Sequence, residues 1–292
     1  MLTETLGTFA LLLGQLLALF LVVSTIVALI NRRFGPEKML DWMSSGRIPG
    51  PVKGLALGAV TPFCSCSTLP MLVGMLNAGV AFQTAMTYLI SSPLLNPIIV
   101  GGIGIIFGWQ TAITYTIFTL SVSLIAPWAW GALGMEKSLK RVRVQGEGTP
   151  EPWNGLRSEM PGALRQAWTD LRPLLIPMLV GVAIGASIYS FVPADQLTAF
   201  AGANIWWAVP LAAVIGIPLY IRLETMLPVG LALQSAGVAV GPIFALMIGG
   251  AGASLPEVSM LAAIFKPRLL ATFVITILAV AIIGGYLISI TA

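Results

Sequence analysis

Apolar residues run in long blocks along this chain, and the gaps between blocks hold nearly all of its charge. The apolar segments fall at about 6–30, 54–80, 82–107, 109–133, 173–192, 205–236, 240–265 and 269–290. Each reaches the length of roughly 20 residues that a helix needs to cross the hydrocarbon core. No charged residue occurs from Gly54 to Met135. The pattern predicts an all-α polytopic membrane protein with about 8 hydrophobic segments. Composition agrees: 57% of the 292 residues are hydrophobic, 9% are charged, and mean hydropathy is +0.95, whereas soluble domains carry about 25% charged residues. The first segment, Leu6–Ile30, has no basic region before it and no small-residue cleavage site. It reads as an anchor rather than a removed signal peptide.

Charge decides which segments cross. The loop 31–53 carries Arg32, Arg33, Lys38, Arg47 and Lys53, and the loop 134–172 carries Lys137, Lys140, Arg141, Arg143, Arg157, Arg165 and Arg172. Three full crossings between them would place these loops on opposite sides, against the positive-inside tendency. The conflict disappears if 54–80 dips in and returns as two half-helices. With the same rule for 205–236, Lys266 and Arg268 also fall inside, leaving Arg222 as the one basic residue within the membrane. Loops 31–53 and 134–172 are then cytoplasmic, and the chain is a multi-pass protein of the inner (cytoplasmic) membrane. The net charge of +4 sits in these short segments, not in a nucleic-acid-binding patch, so no nucleic-acid partner is expected. All eight tryptophans fall near predicted boundaries, as an interfacial belt requires.

An internal match supports the same division. Residues 58–97 align with 216–255 at a fixed offset: Gly58 meets Gly216, Leu69-Pro70 meets Leu227-Pro228, and Ala78-Gly79-Val80-Ala81 meets Ala236-Gly237-Val238-Ala239. The chain therefore divides into a first transmembrane repeat, 1–133, a cytoplasmic linker, 134–172, and a second repeat, 173–292. Each repeat has three transmembrane helices and one re-entrant helical hairpin. That odd number of crossings makes the two repeats inverted in topology, a plan common among secondary transporters with a site at the midplane. The end of the linker, SEMPGALRQAWTDLR, puts Leu164, Trp168 and Leu171 on one helical face, expected to lie on the membrane surface.

Candidate chemistry collects where the apolar blocks are interrupted. TPFCSCSTLP, residues 61–70, contains the chain's two cysteines between two prolines. Proline removes a backbone donor and biases the preceding residue away from helix, so Thr61–Thr68 is expected to be irregular. If it is extended, Cys64 and Cys66 point the same way with Ser65 opposite; on a helix they would diverge by about 200°. A buried cysteine is ordinarily a small inert hydrophobe. A C-x-C pair among Thr61, Ser65 and Ser67 also suits a soft, thiophilic ligand. Two cysteines and no histidine exclude a multi-cysteine disulfide framework and a histidine-ligated metal site. No metal or cofactor is expected.

The offset sets Cys64 and Cys66 opposite Arg222 and Glu224, beside Tyr220. An arginine at a span centre is costly and reads as functional: Arg222 would attract an anion, Glu224 would titrate, and Tyr220 would offer a hydroxyl or an aromatic wall. The plainer alternative is an Arg–Glu pair tying a hairpin tip to its neighbour. Two interrupted spans complete the candidate site. SSPLLNP, residues 91–97, supplies Ser91, Ser92 and Asn96, and GGAGASLPE, residues 249–257, supplies Ser254 and Glu257. Helix breaks free backbone groups to face a solute, whereas Gly249–Gly252 reads as close helix packing.

The run G-x-x-TPFCSC-x-x-x-P, followed by SSPLLNP about twenty residues later, resembles the ArsP/YraQ-type permease family, and the likeness covers most of the chain. The resemblance implies a cytoplasmic-membrane permease. The best-known members export trivalent organoarsenicals, for which Cys64 and Cys66 would be reversible soft ligands. Here Ser67 follows the motif where many members have glycine, and the second half has R-L-E in place of a further cysteine. Three-thiol coordination by this chain alone is thereby excluded.

The function expected is that of a secondary transporter, not an enzyme. No G-x-x-x-x-G-K-[ST] phosphate loop is present, so this chain would not itself use ATP. Its partners would be a small-molecule substrate and the lipid bilayer, with a homo-oligomer left open. The solute would be a thiophilic species such as a trivalent organoarsenical, moving outward. A small sulfur-containing or other anion drawn by Arg222 is the alternative. A membrane thiol–disulfide electron carrier is the reading of another class, since a C-x-C disulfide closes a strained, readily reduced loop. A purely structural or receptor role fits the repeat and the buried charges less well.

Overall fold

The computed structural model describes residues 48–60, 65–140, 206–218 and 237–291, together with parts of 14–29, 41–43, 158–176 and 230–235. Among the described residues, nine helices follow in chain order: α1 (Gly50–Val60), α2 (Ser65–Asn77), α3 (Phe82–Leu94), α4 (Pro97–Ile106), α5 (Trp109–Ala132), α6 (Ala208–Gly216), α7 (Val240–Gly252), α8 (Leu255–Ile264) and α9 (Pro267–Thr291). A 3-10 turn, Met135–Ser138, follows α5. Extended pairing among the described residues is limited to one bridge, Leu139 with Phe265.

Among the described residues, four stretches are long and apolar enough to cross a membrane: Phe82–Ile106, Trp109–Ala132, Val240–Ile264 and Pro267–Thr291. Two of them are interrupted. α3 gives way to α4 at Leu95–Asn96, and α7 gives way to α8 at Ala253–Ser254. The interrupted pair is central, with 56% and 78% of their apolar windows buried against 28% and 39% for α5 and α9. The continuous helices turn an apolar face outward, as Ile113, Ile117 and Ile125 on α5 and Ile275 and Ile283 on α9 show.

The internal match extends to the helices. α6, α7, α8 and α9 each begin 158 positions after α1, α3, α4 and α5. The turn before each interrupted helix is also the same. Val80 N–H donates to Met75 and Gly79 N–H to Leu76, as Val238 does to Leu233 and Gly237 to Gln234. This double bond pattern closes a helix with a left-handed residue; Gly79 and Gly237 have φ of 80° and 89°, a region that only glycine occupies at little cost.

Contacts order the helices by direction. α1 runs alongside α3, because a side chain at Gly50 would meet Thr84 while one at Gly58 would meet Ser91 and Ser92. α2 runs back: Thr68 Oγ1 lies 3.1 Å from Ser92 Oγ, and the far end of α2 turns through Gly79 into Phe82. The inner ends of α1 and α2 thus meet partway along the 82–106 stretch, and their outer ends share its start. These helices of 11 and 13 residues are about 16–20 Å long at 1.5 Å per residue, short of a ~30 Å hydrocarbon core.

α5 and α9, which correspond under the offset, run antiparallel. Gln110 near the start of α5 donates to the Thr291 carbonyl at the end of α9. At the opposite end, Lys140 N–H donates to Ile264 and Lys266 N–H to Ser138, both at 2.8 Å. Gly131 of α5 abuts Gln83 at that same end. Lys53, Lys137, Lys140, Lys266 and Arg268 therefore share one end of the molecule, and Trp109 and Trp206 the other; Tyr286, near the end of α9, donates to the Trp206 carbonyl.

One local expectation is corrected. The backbone expected to be irregular through Thr68 is helical from Ser65. Pro70 sits inside α2 as its sixth residue, past the first four N–H groups that lack a partner in any helix, so its missing donor costs the bond to the Cys66 carbonyl. In the linker, residues 158–165, 167–169 and 171–172 are helical; Leu164 and Trp168 are 48% and 45% exposed, while Leu171 is buried with Glu159, Ala163 and Ala167. Small residues let helices approach closely, which leaves Leu164 and Trp168 outside.

Candidate functional site

Each interruption of a central helix arises from its local sequence. In the first, Pro93 cannot bond back to Leu89, and α3 ends one residue later. Asn96 then takes an extended conformation and caps α4, its Oδ1 accepting from Ile98 N–H at 3.0 Å. Pro97 follows at the first helical position, where a missing donor costs nothing. The carbonyl of Leu94, exposed by the break, accepts a hydrogen bond of 2.8 Å from the Tyr115 hydroxyl. Ser91 bonds within its own helix, donating to the Tyr88 carbonyl at 3.3 Å. Ser92 meets Thr68 of α2.

The second interruption is built on the same plan, with fewer side-chain bonds among the described residues. Ser254 holds the position equivalent to Asn96, extended at the start of α8, but its side chain makes no capping bond. Phe273 stands where Tyr115 stands in the first half and has no hydroxyl to give. The backbones approach instead: a Cβ on Gly249 would lie 2.5 Å from the Ala213 carbonyl, and one on Gly216 would lie 2.5 Å from the Leu246 carbonyl and 2.9 Å from the Gly250 nitrogen. Leu255 N–H reaches the Ile217 carbonyl at 3.3 Å, so the end of α6 is tied to the break.

Glu257 lies in the first turn of α8 and is 1% exposed. Neither carboxyl oxygen has a hydrogen-bond partner among the described residues. Its counterpart under the offset, Ile99, is a buried apolar side chain.

Of the thirteen residues expected at the site, Ser91, Ser92, Asn96, Ser254 and Glu257 are buried at the two breaks. Thr61, Cys64, Tyr220, Arg222 and Glu224 lie outside the described residues. Ser65, Cys66 and Ser67 form the first turn of α2, and their side chains are outside the description. The elements around the breaks touch: α2 packs on α3 and on α8, and α3 packs on α7. Among the described residues no side-chain hydrogen bond joins Asn96, Ser254 and Glu257 to one another. Sequence reasoning passed over Thr68 and Tyr115. Thr68 had a signal, a hydroxyl just before Leu-Pro in the same run. Tyr115 had only the presence of a phenol within an apolar span. Among the described residues no cluster of three metal-ligating side chains occurs.

Comparison with known proteins places the chain. The ArsP_1 family model, described as a predicted permease, matches residues 2–290. The UPF0718 protein MJ0584 of Methanocaldococcus jannaschii is 22% identical over 333 aligned residues, covering 93% of this chain and 90% of that protein. The UPF0718 protein YcgR of Bacillus subtilis is 22% identical, with 92% of each chain covered. No solved structure matches significantly.

Proposed function

Because this chain belongs to the ArsP_1 family of predicted permeases, we propose that it is a secondary transporter moving a small solute through a midplane site between two broken helices. Membership makes it a multi-pass membrane transporter with a small-molecule substrate, not an enzyme. The observation that supports the site is the coincidence of the two breaks. Leu95–Asn96 and Ala253–Ser254 interrupt the two central apolar stretches at the same register of the repeat, and discontinuous helices of this kind expose backbone groups to solutes.

In this reading the two repeats are inverted in topology. The antiparallel course of the corresponding helices α5 and α9 supports it. α1 and α2 form a re-entrant hairpin, and α6 begins its counterpart. The third crossing of each repeat falls in 6–30 and 173–192. The shared end of Lys53, Lys137, Lys140, Lys266 and Arg268 is cytoplasmic, by the positive-inside tendency, and the membrane is the inner one.

The solute is a thiophilic species such as a trivalent organoarsenical, captured by Cys64 and Cys66 at the hairpin tip and moved outward. The support is the C-x-C pair in the chain's TPFCSC motif, together with the softness of thiol ligands. Ser91, Ser92, Asn96 and Ser254 line the path. Efflux and uptake in membrane vesicles test this, with a panel of trivalent organoarsenicals and oxyanions. Organoarsenical flux lost in Cys64→Ser/Cys66→Ser bears the reading out. Oxyanion flux lost only in Arg222→Ala replaces it with an anion transporter. No flux of any solute, with the thiol pair cycling between oxidised and reduced forms, replaces it with an electron carrier.

A further inference from the structure

The repeat supplies an internal control on each of its residues. A feature demanded by the fold should appear in both halves, and one present in a single half at a matched position calls for another cause. Glu257 is such a feature. Its counterpart Ile99 is buried and apolar, so the start of that half-helix needs no carboxyl to pack or to cap.

Among the described residues, the helices packed around Glu257 set no charge beside it. Its helix, α8, packs on α2 and α9. α2 has no charged residue, and Cys66 is its single titratable side chain. α9 holds Arg268, exposed in its first turn at the basic end, and Tyr286 near its far end. α6, tied to the break through Ile217, has no titratable side chain. Lys266, just past the end of α8, is exposed at the basic end, and Arg222 and Glu224, which follow α6 in sequence, lie outside the described residues. Both carboxyl oxygens lack a hydrogen-bond partner among the described residues, a costly state for a buried carboxylate. A carboxyl so placed is suited to gain and lose a proton as its access to water changes.

The two breaks also differ in how firmly they are held. Asn96 caps α4, Tyr115 holds the Leu94 carbonyl, and Thr68 meets Ser92. At the second break Ser254 makes no cap and Phe273 replaces the tyrosine. Among the described residues, the break bearing the carboxyl has fewer side-chain hydrogen bonds and is tied through the backbone, by Leu255 N–H to the Ile217 carbonyl.

We propose that Glu257 is the binding site of the coupling proton, which the carboxylate takes up from water on one side and releases on the other as the Ala253–Ser254 break rearranges. The proton adds to one carboxylate oxygen and leaves from it, with no other bond made or broken. A proton fits better than sodium, because α2, α6 and α9 bring no second carboxylate beside Glu257 to help complete an oxygen shell. The inference rests on the permease reading, and its test has one arm that does not.

The full chain is reconstituted in liposomes as wild type, Glu257→Gln and Glu257→Asp. Infrared difference spectra between alkaline and acidic buffer should show the carbonyl stretch of a newly protonated buried carboxyl in wild type. The band should shift in Glu257→Asp and be lost in Glu257→Gln. The same band in Glu257→Gln, or no band in wild type, overturns the proposal. So does a band abolished by sodium at constant pH, which would assign the site to sodium. In the second arm, vesicles loaded with a pH-sensitive dye are exposed to methylarsenite. Wild type should move protons with the arsenical, and Glu257→Gln should lose that proton movement; undiminished proton movement in the variant overturns the proposal. If wild type moves no methylarsenite, the substrate reading fails and the infrared arm alone decides the role of Glu257.

Discussion

Tyr115 donates its hydroxyl to the carbonyl of Leu94 at 2.8 Å, across the gap where a central helix stops. The residue 158 positions later, Phe273, has the same ring without the hydroxyl. One break of the repeat is thus held by a side chain that the other lacks. Tyr115→Phe should leave the Leu94 carbonyl bare in a buried place and destabilise the protein by about 0.5–2 kcal/mol, the range for losing one buried hydrogen bond in a protein or membrane interior. Thermal unfolding in detergent micelles checks this, with a lower Tm expected.

Asn96 and Ser254 occupy equivalent helix starts but do different work. Asn96 caps Ile98, so Asn96→Ala should cost about 1 kcal/mol, the usual value for a lost N-cap. Ser254 makes no cap, so Ser254→Ala should leave stability nearly unchanged. Equal losses in the same unfolding assay would contradict the asymmetry.

Gly58 and Gly216 mark the points where the half-helices press on the central spans. A methyl group at Gly216 meets backbone atoms of Leu246 and Gly250, at 2.5 and 2.9 Å. At Gly58 the nearest obstacle is the Ser91 hydroxyl, which can rotate, with the Ser92 nitrogen next at 3.0 Å. Gly216→Ala should therefore be the more damaging, on the scale of about 1–3 kcal/mol seen for overpacked interiors. The yield of monodisperse protein and its Tm report the order.

Topology can be read by labelling. In a Cys64→Ser/Cys66→Ser background, single cysteines replace Ala81, Lys137 and Gln110, all at exposed positions. A membrane-impermeant maleimide should reach Ala81→Cys and Lys137→Cys from the cytoplasmic side and Gln110→Cys from the other. Ala81→Cys labelled together with Gln110→Cys would mean that α2 crosses the whole bilayer, and the inverted hairpins would be lost.

Much of this arrangement is legible in the order of residues alone, and the reason lies in the solvent. Lipid forces apolar runs to be long and backbone bonds to be internal, so the 82–107, 109–133, 240–265 and 269–290 segments reappear nearly residue for residue as helical stretches. Prolines and the Ala-Gly-Val-Ala turns punctuate helices by their own covalent geometry, and they mark the breaks and the offset. Exposure within helices is less legible. In lipid large apolar side chains need not be buried, and small residues make the close contacts, so Leu164 and Trp168 point outward while Ala163 and Ala167 are covered.

Where helices stop is written into the local sequence, because a missing donor or a positive φ is a property of one residue and its neighbours. Which freed groups find partners is a matter of tertiary packing: Leu94 has the Tyr115 hydroxyl, Ser92 has Thr68, and the Glu257 carboxyl has none among the described residues. Those partners lie between 21 and 24 positions apart in the chain. No local pattern relates such residues; the packing of whole helices does.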